Sequence, residues 1–185
     1  MSIKQIEIGK AINFGWKGIS KDFWYFVGIA VVFTALASPS FPVGTILGAW
    51  LTAGLVTITL SYYSKKTLPF ETLFTQIKYF ANMLGAQVLI SLIVIGGLIL
   101  LVVPGIYWAI KYQFAGFFIV DKNMSITEAL HASGEMTKGL KWQLLLLDLA
   151  FLGIMILGGM ALGVGILVAL PIIWLADCHV YKQLS

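Results

Sequence analysis

Long apolar runs alternate with short polar segments along this chain, and the lengths of the runs point to membrane-spanning helices. A helix needs about 20 residues to cross the hydrocarbon core of a bilayer. On that measure the expected spans are residues 23–37, 43–63, 80–103, 106–120, 142–158 and 162–180. The first and fourth are short, which calls for tilted neighbours or a locally thinned bilayer. The segments between the runs alternate in character. Ser38-Pro39-Ser40-Phe41-Pro42, Pro104-Gly105 and Gly158-Gly159-Met160-Ala161 carry no charge and read as tight external turns. The N-terminal arm, residues 65–78, residues 121–141 and the C-terminal tail hold nearly all the charges. Lysine-rich segments stay on the cytoplasmic side, so both termini are expected inside.

The inner segments have a helical period of their own. In the first, Ile8, Ile12, Trp16, Ile19 and Phe23 fall on one side and Lys10, Lys17 and Lys21 on the other. The second starts near Thr67-Leu68-Pro69, where proline suits a first helical turn, and continues with Leu73, Phe74 and Ile77. The third opens with Ser125-Ile126-Thr127-Glu128, a capping box in which the serine and glutamate side chains satisfy early helical amides. It sets Ala129, Leu130, Ser133 and Met136 against Glu128, His131, Glu135 and Lys138. Such helices are expected to lie in the interface, with lysines among the headgroups, or else to form a cytoplasmic docking surface. Each is followed by two apolar runs. A helix-plus-hairpin unit of about 60 residues is therefore expected three times, at 1–64, 65–122 and 123–185, within a single integral-membrane domain. The expected fold is all-α: six transmembrane helices plus three amphipathic interfacial helices, with a pseudo-threefold helix-plus-hairpin repeat.

Composition narrows the class. Of the 185 residues 59% are hydrophobic and 11% charged, against about 45–50% and 25% in a soluble domain. A soluble protein, a disordered chain and a nucleic-acid binder are excluded, and no length remains for a soluble catalytic domain. The formal charge is +4 and all 12 basic residues are lysine. Without the bidentate guanidinium fork a dedicated anion site is disfavoured, and the lysines are read as setting membrane orientation. Cys178 stands alone and forms no internal disulfide. No continuous apolar segment follows the start, so the first span is expected to act as an uncleaved signal.

Candidate chemistry is sparse. Lys111, Asp148 and Asp177 fall within expected spans, where a charge at the bilayer centre costs about 2.5–3.5 kcal/mol and normally faces protein or water. Lys111 and Asp148 are expected at depths differing by about 5 Å, facing one another, or with Asp148 paired elsewhere. Such a pair either holds two spans in register or forms a proton- or solute-binding site. Asp177-Cys178-His179 joins ligand types, but adjacent helical residues point about 100° apart and do not converge on one ion. No metal site and no cofactor are expected, and no glycine-rich phosphate loop or nucleophile motif is present. Gly44 with Gly48, and Gly159 with Gly163, have the spacing that lets helices pack closely. Trp16, Trp24 and Trp142 are expected at the inner boundary, and Trp50, Trp108 and Trp174 deeper. Only Gly96-Gly97 and Pro171 hint at breaks within spans.

Pro104-Gly105-Ile106-Tyr107-Trp108, Asp121, Ser125, Ala129-Leu130, Ser133 and Lys138-Gly139 together carry a resemblance. They resemble a group of poorly characterised bacterial integral-membrane proteins. That group is similar to the membrane domain of some bacterial glycerophosphoryl diester phosphodiesterases. The resemblance covers mainly residues 103–185. It implies a six-helix inner-membrane protein without established catalytic residues, since the phosphodiesterase activity resides in the soluble domain. The expected function is a non-enzymatic inner-membrane accessory or scaffold protein, surrounded by membrane lipids and associated with a membrane-protein partner or a second copy. The alternative is a small transporter or lipid-handling protein using Lys111 and Asp148.

Overall fold

A computed structural model describes residues 6–37, 43–66, 69–160 and 164–185, and among these the chain is helical with no strand. The helices are α1 (Ile8–Lys21), α2 (Phe23–Leu36), α3 (Val43–Tyr63), α4 (Thr72–Thr75), α5 (Phe80–Leu100), α6 (Val102–Tyr112), α7 (Ala115–Asp121), α8 (Ile126–Met136), α9 (Lys141–Met160) and α10 (Val164–Leu184). A single 3-10 turn, Ile77–Tyr79, leads into α5.

Four stretches are long and apolar enough to cross a membrane: Gly44–Tyr63, Thr72–Ile99, Lys141–Met160 and Gly165–Leu184. The expected first and fourth spans are not among them. α2 has 14 residues, a rise of about 21 Å, and it leaves α1 at a bend of 103°. The expected fourth span is cut in two, because α6 stops at Tyr112 and α7 starts at Ala115. The cut releases the Lys111 carbonyl from the helical ladder, and the Ser133 hydroxyl of α8 donates to it at 2.9 Å. A hydrogen bond from a neighbouring helix thus replaces one within the span.

The hairpin between α5 and α6 also differs from the expected turn. The chain reverses at Leu101, which is extended (φ −163°, ψ 144°), and Pro104-Gly105 lies in the first turn of α6. Proline is tolerated there because the first helical N–H groups have no intrahelical acceptor. Gly158-Gly159-Met160 is likewise helical, ending α9, while Ala161 and the expected turn at 38–42 lie outside the described residues. α5 runs through Gly96-Gly97 and α10 through Pro171 without a break.

Close approaches decide the packing. α1 lies against α10 through Ala11, Gly15, Gly18 and Ile19, whereas Trp16 is 57% exposed. Of the apolar side expected from helical period, Ile19 is buried and Ile8 and Ile12 are half-buried, while Trp16 and Phe23 are exposed, so the buried face is turned towards the small residues. Gly15 rests on the Ile172 backbone, where any Cβ would collide with the carbonyl, so small residues rather than large apolar ones select the contact. Gly54 of α3 meets the Leu73 backbone in the same way and lets α4 sit flush on α3. Gly97 faces Gly105 and makes room for Trp108, and Gly158 faces Gly165, so both described hairpins close on facing glycines. Two apolar clusters follow. One gathers Phe114, Phe118, Ile119, Leu144, Leu147 and Tyr181, the other Phe26, Ile29, Leu51, Ile58, Leu73 and Leu175. α3 and α10 contribute to both.

The third inner helix starts as expected. The Ser125 amide and hydroxyl donate to the Glu128 carboxylate at 2.9 and 2.7 Å, completing a capping box at the start of α8. The second inner helix is instead broken into α4 and the 3-10 turn, and Thr67-Leu68 lies outside the described residues.

Two outcomes are expected. Gly54→Val should destabilise the protein by at least about 1–3 kcal/mol, as overpacking does, while Gly153→Ala, with nothing near its added methyl, should not; melting curves in detergent discriminate them. The hydroxyl and amide of Ser125 hold the Glu128 carboxyl below its ordinary value. The cap should therefore be fully present above the usual glutamate pKa and be lost as pH falls through the lower folded value, read as faster amide exchange in the first turn of α8.

Candidate functional site

α3 and α5 diverge near the start of α3 and leave a groove of about 720 Å³ between them. Thr45 of α3 and Gln87 and Ser91 of α5 line it, with Val88, Leu92 and Ile95 as apolar neighbours. Gln87 and Ser91 are four residues apart, which puts them on one helical face. Only 17% of the apolar run containing α5 is buried in the protein, so this face is open along the groove.

The polar groups of this open groove have no partner within the protein. Other hydroxyls on α3 bond back to their own helix: Thr52 to the Gly48 carbonyl at 2.7 Å, Thr57 to Ala53 at 2.9 Å, Thr59 to Val56 at 3.0 Å. Among the described residues, Thr45, Gln87 and Ser91 make no side-chain hydrogen bond. An amide carried from water into hydrocarbon unpaired costs about 4–8 kcal/mol. Gln87 is not among the candidate residues that the sequence singles out. The signal that finds it is a carboxamide and a hydroxyl four residues apart in an otherwise apolar helix.

The charged candidates separate. Lys111 ends α6, its stem lies on Gly134 of α8 and its ammonium sits 4.9 Å from the centre of the Tyr112 ring. No carboxylate lies within ion-pair distance of it among the described residues. Asp148 on α9 has Asp177 on α10 as its charged neighbour, two carboxylates rather than an acid and a base. The expected pairing of Lys111 with Asp148 is absent among the described residues, the Lys111 side chain lying over Gly134 and Tyr112 instead. Asp177 lines a cavity of about 200 Å³ walled by Phe33, Phe117 and Trp174, with Thr52 and Thr59 as its hydroxyls. Beside it Cys178 is buried, and the His179 ring packs 5.0 Å from Phe14 and 5.7 Å from Tyr63, so the three adjacent residues face different surroundings.

The packing glycines are also redistributed. Gly48 makes an ordinary contact with Ala37 and Gly44 is buried. Gly159 touches nothing, its neighbour Gly158 making the close contact instead, and Gly163 lies outside the described residues. Asp121 is internally neutralised. As a residue it is exposed, yet its side chain is only 22% so, because its carboxylate accepts from Tyr181 at 2.9 Å and from Lys182 at 2.9 and 3.0 Å.

Residues 40–185 match a family described as a protein of unknown function, DUF975, and the chain belongs to that family. An uncharacterized protein of Mycobacterium bovis is 29% identical over 136 residues, 74% of this chain and 42% of its own length. Two uncharacterized proteins of Mycobacterium tuberculosis are 29% and 28% identical over the same shares. The chain thus spans about two-fifths of the length of these relatives. No solved structure matches. Nothing in these similarities links the chain to glycerophosphoryl diester phosphodiesterases, and the resemblance to their membrane domain is set aside.

Because Lys111 and Asp148 have different neighbours, their substitutions should act independently. In a double-mutant cycle of Lys111→Met and Asp148→Asn, melting free energies should add within about 0.3–0.5 kcal/mol. A larger coupling would mean that the two charges do interact.

Proposed function

We propose that this member of a family of unknown function is a non-enzymatic membrane accessory protein that holds a transmembrane helix of a partner protein in the α3–α5 groove. The observation that carries the reading is the unpartnered Gln87 and Ser91 pair on an open apolar face. Between helices in a membrane, side-chain hydrogen bonds supply about 0.6–1.7 kcal/mol each and fix register. A carboxamide both donates and accepts, so a serine, threonine, asparagine or glutamine on an apolar helix answers Gln87.

A second copy is a poorer occupant than a foreign helix. A two-fold contact brings the same patch of both chains together, and a concave groove laid against itself leaves a void. One convex helix fills it. The transporter reading is the less favoured one, since Lys111 and Asp148 have different neighbours and α5 and α10 run unbroken through Gly96-Gly97 and Pro171. The accessory reading takes the chain as an inner-membrane protein with both termini cytoplasmic and three hairpins, each entered from a short helix. The order α1 before α2 and α3, α4 before α5 and α6, and α8 before α9 and α10 supports it, as do the facing glycines of two hairpins.

A photo-crosslinking residue at Ser91, activated in native membranes, tests the reading. The expected product maps to an apolar helix of one other membrane protein and falls about tenfold when Gln87→Leu removes the hydrogen bond. Gln87→Leu should leave the melting temperature unchanged or raised, because an unpaired polar group is replaced by an apolar one of similar size. Products confined to lipid, or to a second copy of the chain, would overturn the proposal.

A further inference from the structure

Away from the groove, α6, α8 and the start of α9 meet around charges that the accessory reading does not use. A cavity of about 250 Å³ lies between α6 and α8, with Lys111, His131 and Glu135 on its walls. The geometry points to a binding site for the phosphodiester headgroup of an anionic phospholipid, formed by Lys111 and Lys141 with Tyr107 and His131 beside them.

The argument begins with charge. Lys111 has no carboxylate partner, and the space that its stem occupies exists because Gly134 has no side chain. Tyr107 precedes Lys111 by one helical turn and is largely exposed. The Lys141 ammonium sits 3.4 Å from the centre of its ring. Tyr107 and Lys111 share one face of α6, so the start of α9 brings a second ammonium to the helical face that carries the first. The one acid on the cavity wall, Glu135, lies 3.7 Å from Lys138, which leaves the charge of Lys111 and Lys141 uncompensated.

The surroundings choose the ligand. Trp142, next to Lys141, is 70% exposed, and Ile106 of α6 and Leu146 and Leu149 of α9 are exposed too. Indole rings favour the level of the headgroups, and apolar side chains below them suit acyl chains. A free phosphate uses the lysines alone, whereas a phospholipid uses the lysines, the indole and the apolar faces together. Lysine is a point charge without the planar fork of arginine, which suits a headgroup whose phosphate is held without fixed orientation.

The test compares melting of the purified full chain in neutral detergent with added phosphatidylglycerol, phosphatidylcholine or inorganic phosphate. Phosphatidylglycerol should stabilise it, and apparent affinity should fall roughly fivefold for Lys111→Gln or Lys141→Gln and about 25-fold for both. Raising the salt should weaken the effect. Lys17→Gln with Lys21→Gln, both exposed on α1, should leave it unchanged. Lys111→Arg with Lys141→Arg keeps the charge and should retain binding, so that loss of binding is separable from loss of fold. Equal stabilisation by inorganic phosphate or by phosphatidylcholine would overturn the proposal, as would an equal loss in the α1 variant. Because these residues lie outside the α3–α5 groove, the lipid site and the proposed partner fail independently.

Discussion

A polar group carried into hydrocarbon has no water to bond, so it must find its partner inside the protein or remain costly. Much of this chain can be understood from where that requirement is met. Thr52, Thr57 and Thr59 of α3 return their hydroxyls to carbonyls of their own helix and pass as apolar residues. Where α6 stops short, the freed carbonyl of Lys111 is taken by Ser133 of another helix, with the Thr137 hydroxyl 3.4 Å away, and α8 packs against the break through Ala129 and Leu130 as well. Asp121, Tyr181 and Lys182 neutralise one another and join the end of α7 to α10. The Trp50, Gln113 and His179 nitrogens are buried without a partner, whereas the unpartnered Gln87 and Ser91 side chains border an open groove that another helix can enter.

The second constraint is distance between backbones. Lipid tails are as apolar as the side chains facing them, so helices gain little by hiding leucine and more by fitting closely. Glycine carries the contact wherever two helices nearly touch. Gly15 on Ile172 and Gly54 on Leu73 bring backbone against backbone, while Trp16 of α1 and Leu92, Ile95 and Ile99 of α5 are left facing outward.

The sequence was most legible where a local rule acts alone. The Ser125 and Glu128 capping box follows from residue identity at a fixed spacing, and the bounds of α3 follow from an apolar run flanked by proline and charge. The chain was less legible where a distant partner decides. Nothing near Tyr112 announces that a hydroxyl from residue 133 replaces the helical bond there, so the apolar run 106–120 reads as one span. Lys111 was noticed for its cost and assigned the wrong neighbour for the same reason. The buried face of α1 was legible only in part, because helical period finds Ile19 but also rewards the exposed Trp16, while close contact with α10 rewards Ala11, Gly15 and Gly18. Gln87 was visible as a residue, but its significance needed the open groove around it.

The packing of α1 on α10 has a consequence for how the molecule is made. The two helices stand near opposite ends of this chain, so the glycine face of α1 emerges from the ribosome long before the surface that covers it. Until α10 is in place, that face has only provisional neighbours, and α1 with its 103° bend into α2 is held by the Tyr62 hydroxyl, which donates to Asp22 at 3.1 Å and to the Gly18 carbonyl at 3.3 Å. Contacts so distant in sequence form late. Closure of α1 therefore waits for α10, and a chain interrupted before that helix does not reach it.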